Sequence, residues 1–197
     1  MMTRTRWLQL GGVVLLFAVA AWAATRVLER VVSPVAVPST APAPAAAAQS
    51  VPHIIATLYY GTTDGQALAA VKREVPLGEG PREQGRQILE SELEPAPAPY
   101  LSLIPRGTML RAFYITGRGD AFVDLSPEVS MMHPGGSTNE LLTIYAIVNA
   151  VTANLSSVER VQILIDGRQA DTLAGHVDLR RPFERDTFLV RESKGTQ

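Results

Sequence analysis

Past residue 51 the hydrophobic positions change period several times, and each change marks an element. HIIATLYYG, residues 53–61, is a β-branched and aromatic run closed by Gly61; TTDG follows, and QALAAVKREVPL is extended again, which predicts two strands. Pro81 then opens REQGRQILESELE, where Ile88, Leu89, Glu92 and Leu93 share a helical face and Pro95, Pro97 and Pro99 end it. TMLRAFYITGRGDAFVDLS has two strand-like halves around Gly117-Arg118-Gly119-Asp120, a hairpin composition. Pro127 to Gly136 reads as loop. Next come Ser137 and Glu140 at capping-box spacing, ahead of a helix with Ile144, Ile147, Val148, Val151 and Leu155 on one stripe; Leu141, Leu142 and Tyr145 widen it. VQILID, 161–166, closed by Gly167, reads as an interior strand. The order β, β, α, β, β, α, β predicts an α+β domain over 51–190, with a mixed or antiparallel sheet, two helices packed on one of its faces and a short tail, 191–197.

The first fifty residues follow another rule. Residues 7–25, WLQLGGVVLLFAVAAWAAT, carry no charge and are long enough, at about 1.5 Å per residue, to cross a hydrocarbon core. Trp7 and Trp22 stand near the two interfaces, and Arg4 and Arg6 set residues 1–6 on the cytoplasmic side. The competing reading is a cleaved signal peptide, with Ala21-Trp22-Ala23 as a small-x-small site; the length of the run favours a single-pass anchor in the cytoplasmic membrane. Residues 32–50, with prolines at 34, 38, 42 and 44 and no charge, form an extended tether. The domain is thus expected on the extracytoplasmic, periplasmic side.

The formal net charge is -1, with 14 basic and 18 acidic residues beyond residue 50. A mildly acidic domain with no basic cluster releases few counterions, which argues against a nucleic-acid partner. The chain has no cysteine, which excludes disulfides, thiol catalysis and a lipid-carrying cysteine.

Candidate chemistry centres on GHVDLRRPF, residues 175–183. His176 and Asp178 invite a proton-transfer reading, with Ser126 or Ser137 as the nucleophile of a small hydrolase, yet a structural hydrogen bond fits the same spacing. The other histidines, His53 and His133, do not stand at metal-ligand spacing, so neither a metal nor another cofactor is expected. Asp124 and Asp166 each close a strand run, where aspartate commonly starts a turn. Arg118-Gly119-Asp120 spells an adhesion tripeptide but suits a hairpin tip. Gly135-Gly136 is too short for a phosphate loop. Tyr59 and Tyr60 point to opposite faces of a strand, so one is expected in the core and the other on an exposed face that would suit a protein interface or a glycan.

Taken in order, several segments resemble a GerMN domain, a family named for a bacterial sporulation and germination protein. They are Ile104-Pro105 with Gly107-Thr108, Val123-Asp124-Leu125-Ser126, the Glu140 helix leading to Val161 through Gly167, and Gly175-His176 with Asp178. The resemblance spans roughly Ile54 to Asp186. It implies a non-enzymatic extracytoplasmic domain, similar to ring-building modules, that binds envelope proteins or acts as a scaffold, with self-association through sheet edges or the helical face. It also implies that Gly107, Asp124, Ser126, Glu140, Asp166, Gly167, Gly175, His176 and Asp178 are structural. The chain carries one such copy, and its anchor is an apolar segment rather than a lipidated cysteine.

Overall fold

In the computed structural model, residues 52–191 are described. The anchor (7–25), the tether (32–50) and nearly all of the tail (191–197) lie outside them. Among the described residues no helix is long and apolar enough to cross a membrane.

The expected elements form where the periodicity put them. Strands β1 (His53–Gly61) and β2 (Leu68–Pro76) make an antiparallel hairpin in register from His53↔Pro76 to Gly61↔Leu68. Helix α1 (Gly80–Leu93) starts with Pro81 in its first turn. Strands β3 (Leu110–Ile115) and β4 (Asp120–Leu125) form the second hairpin. Within the predicted loop a single turn of helix, α2 (Glu128–Met131), tucks Val129 into the core. Helix α3 (Ser137–Asn154) is followed by β5 (Arg160–Ile165), β6 (Arg168–Gln169), β7 (Phe183–Glu184) and β8 (Val190–Arg191).

The α+β class holds, with a correction: there are two sheets rather than one. The first has the order β1-β2-β8, with β8 parallel to β2. The second has the order β3-β4-β5-β6, with β4 parallel to β5 and β7 also on β5. Side chains from the helices keep the two apart. On β1, Asn154 of α3 gives its amide to the Thr57 backbone, with N–H to Oδ1 at 2.9 Å and Nδ2 to carbonyl at 2.8 Å. Glu92 of α1 accepts the Tyr59 N–H at 3.0 Å, and Gly61 pairs with Leu101. On β3, Arg82 of α1 donates to the Phe113 carbonyl at 3.2 Å and stacks on the Tyr114 ring. These bonds occupy the outward groups of Thr57, Tyr59 and Gly61 on β1 and the Phe113 carbonyl on β3, so none of them is left for a ladder between the two strands. The helices pack on each other and serve both sheets; α1 touches β1, β2 and β3, while α3 touches β1, β5 and β7.

The core is built from Leu58, Tyr60, Leu68, Ile88, Leu89, Phe113, Leu125, Leu142, Ile144, Ile147, Ile163 and Leu173, each burial contributing about 1.5–3 kcal/mol. Helix α3 is buried nearly all round, and its buried polar groups each have a task. Asn149 is fully buried and holds the C-terminal segment by donating to the Asp186 carbonyl at 2.7 Å and accepting its N–H at 3.1 Å. The expected capping box is absent. Gly136, at φ 88°, is the N-cap and no side chain caps the helix. Glu140 has another employment.

Candidate functional site

The Glu140 carboxylate is fully buried in the first turn of α3, where the helix dipole favours a negative charge. The loop after β6 folds over it, closed by a Thr172↔Asp178 bridge and turned at Gly175, φ +100°, a backbone region that favours glycine. Oε1 accepts the N–H groups of Leu173 and Ala174, both at 2.9 Å, and of Val177 at 3.2 Å. Oε2 accepts the His176 N–H at 2.8 Å and its ring Nδ1 at 3.1 Å. Burial alone pushes this carboxyl upward, but the four backbone donors together outweigh it and hold the group below the usual carboxylate range. Glu140 thus fixes the irregular backbone of residues 173–177, which apart from the Thr172↔Asp178 bridge lies outside any sheet ladder.

The two residues of the catalytic reading therefore have separate partners. His176 leans on Glu140, while Asp178 is exposed and grips Arg180 through its backbone N–H, Nε and Nη2, all at 2.9 Å. Those bonds bring the Asp178 acid down to about 2. The hydroxyl of Ser126 is buried and accepts the Met109 N–H at 2.9 Å, and Ser137 is exposed at the start of α3. Among the described residues no hydrogen bond joins either serine to His176. Only the ring of His176 is lost on substitution, since its backbone N–H stays on Glu140. His176→Ala is expected to lower stability by about 0.5–1 kcal/mol, read as a small drop in melting temperature. A loss as large as that of a core truncation would show that the ring does more than this bond.

A second cluster joins Asp124, Asp166 and Gly167. Asp166 (φ 54°) and Gly167 (φ 75°) are the two central residues of the β5–β6 hairpin turn, and both positive angles are what such a turn requires. Asp124 accepts the Gly167 N–H at 2.7 Å, and Arg111 bridges the two acids at 3.4 Å to Asp124 and 2.7 Å to Asp166. Sequence reasoning missed Arg111; its alternation on β3 was the available signal. Gly107, φ +87°, closes the Pro105–Thr108 turn, which lines a groove of about 240 Å³ with Leu93, Pro95, Ser102, Ile104 and Arg106.

The expected exposed tyrosine is not there. Tyr59 and Tyr60 are 3% and 2% exposed, because helices cover one face of the β1–β2 hairpin and the C-terminal segment reaches the other. Their hydroxyls meet Arg185 and Arg73 respectively. His133 is also absorbed: its Nδ1 accepts the Gly135 N–H at 3.0 Å, so Nε2 carries the proton toward Thr143 at 3.1 Å. In the Arg118-Gly119-Asp120 turn, Asp120 lies in β4 and pairs with Arg160 at 2.7 Å. His53 stands exposed at the start of β1. Large apolar side chains that do face outward include Met109, Met131, Met132 and Phe188.

Known folds match this arrangement. A candidate lipoprotein from Clostridium perfringens superposes with a TM-score of 0.50 at 24% identity, over 70% of this chain and 91% of that one. The tandem GerMN domains of the sporulation protein GerM from Bacillus subtilis superpose with a TM-score of 0.51 at 18% identity, over 68% of this chain and 46% of that one. Among curated proteins none matches the chain. The family model Germane, described as "Sporulation and spore germination", matches residues 57–171, from the middle of β1 to the loop that Glu140 holds. This chain belongs to that family and carries a GerMN domain.

Proposed function

We propose that the domain is a non-enzymatic binding or scaffold module of the cell envelope, held at the membrane by residues 7–25 and presented on its extracytoplasmic side by the 32–50 tether. One observation carries this reading. The residues of the catalytic reading are held apart by separate partners, His176 by Glu140, Asp178 by Arg180 and Ser126 by the Met109 N–H. The exposed features are side chains of the kind that protein interfaces use, among them three methionines and Phe188. The likeness to a candidate lipoprotein and to a sporulation protein supports an envelope setting, with the apolar segment here in the place of a lipid.

The test uses intact cells. The full chain should sediment with membranes, and protease added to spheroplasts should digest its C-terminal domain. Photo-crosslinkers at Met131 and Phe188 should capture defined envelope proteins or a second copy of the chain. A chain found in the cytosol, or protected from external protease, would overturn the reading.

A further inference from the structure

The outer edge of β2 is open over Lys72 and Glu74, between β8 and the Pro76 carbonyl that accepts Gln84 Nε2 at 3.2 Å, and we propose that it pairs antiparallel with the β2 edge of a second copy, over Val71–Val75, about a two-fold axis at Arg73. The inference deepens the scaffold reading and rests on it. Its basis is the alternation of an antiparallel ladder. Thr57, Tyr59 and Gly61 turn their backbone groups away from β2, toward Asn154, Glu92 and Leu101. Their partners Lys72, Ala70 and Leu68 therefore turn theirs away from β1, toward the opposite edge. Leu68 confirms the sense, since its N–H reaches the Leu189 carbonyl at 2.8 Å. Strand β8 covers that edge at Leu68 and Ala69 and its pairing ends at Arg191. Beyond it the outward backbone groups of Lys72 and Glu74 have no partner among the described residues.

Charge selects the occupant. A lone lysine on an edge strand deters pairing, but here a glutamate follows two residues later on the same face, and both side chains are exposed. Two-fold pairings centred on Lys72 or on Glu74 would set directly opposite like charges that have no ion-pair partner of their own among the described residues. The pairing centred on Arg73 sets Lys72 of each copy against Glu74 of the other, with both backbone bonds exchanged at each pair. Arg73 meets its own copy across the axis already matched by Glu94 at 3.0 Å. Pro76, which has no N–H, limits the strand at one end and Arg191 at the other, so the contact is short and weak in dilute solution. Tethering both copies to one surface raises their effective concentration.

Sedimentation velocity of the full 197-residue chain in mild detergent, over a range of concentrations, tests this. The unmodified chain is expected to show a monomer–dimer equilibrium. Lys72→Glu and Glu74→Lys each turn two matched pairs into two repulsive ones and should lower the association constant about tenfold. The double variant K72E/E74K restores both pairs with their signs exchanged and should return to within about threefold of the original. The proposal is overturned by a chain that stays monomeric throughout, by a dimer that ignores the single swaps, or by a double variant that remains weak. A monomer whose Lys72 and Glu74 amides exchange slowly has its own chain on this edge, and overturns it equally. A chain that stays monomeric yet is still crosslinked to other envelope proteins through Met131 or Phe188 would leave the scaffold reading standing while removing the edge contact.

Discussion

Replacing Glu140 by alanine is expected to destabilise the domain by about 3–5 kcal/mol, because several N–H donors lose a charged acceptor at about 1–3 kcal/mol for each that stays buried. The change strands the N–H groups of Leu173, Ala174, His176 and Val177, of which Leu173 is buried, and leaves a cavity under the loop. Each buried donor left without an acceptor costs about 1–3 kcal/mol, and water can reach some of these because the loop is partly exposed. The melting temperature should fall on the order of 10 °C. Glu140→Gln keeps one acceptor oxygen but turns an NH2 group toward donors, so it should fall between alanine and the original. Acid provides the second readout. The Glu140 carboxyl is held below its usual range in the folded state, so its stabilisation is complete above the unfolded value and is lost as pH falls through the folded one. The original chain should lose stability in that acidic window, and Glu140→Gln should lose less of it. A Glu140→Ala variant that melts within a degree or two of the original, with the same acid profile, would remove the loop-holding role.

Gly85→Ala is expected to destabilise by about 1–3 kcal/mol, the cost of overpacking a filled core. Helix propensity alone gives the opposite sign, since alanine in a helix interior is favoured over glycine by about 1 kcal/mol. Packing decides between them. A Cβ at Gly85 would overlap Cε1 of Phe113, a ring only 1% exposed. Neither partner has room to yield, because α1 is also held to β3 through Arg82 and to β1 through Glu92. Combining it with Phe113→Leu should recover part of the loss, so the two changes should cost less together than their sum. Urea denaturation of the four chains supplies the cycle. If Gly85→Ala alone raised stability, the close approach of α1 to β3 would be wrong.

The two helices, the first two strands, the β3–β4 hairpin and the interior strand were legible in the sequence because periodicity and turn residues are local signals. Asp166-Gly167 lay at the end of VQILID and became the hairpin turn its composition suits. The capping box was also a local inference, and it failed because Glu140 found better partners more than thirty residues away. The tyrosines failed for a related reason. A strand tells which side chains share a face, but coverage of that face depends on what the chain does later, here a C-terminal segment that brings Arg185 to Tyr59. His176 and Asp178 show the same limit, since spacing brought them together on paper and their hydrogen-bond partners set them to different tasks.

By itself, then, the sequence determined the order of the longer strands and helices, the α+β class and the family resemblance, while the short α2, β6, β7 and β8 carried too few residues to show a period. Only the tertiary structure decided that the strands divide into two sheets, that Glu92 and Asn154 cover the β1 edge while Lys72 and Glu74 of β2 stay open, and that Glu140 holds the GHVDLRRPF loop. Those outcomes rest on hydrogen-bond donors and acceptors far apart in the chain. A buried polar group takes the partner the fold delivers, and that choice is settled only once the core has packed.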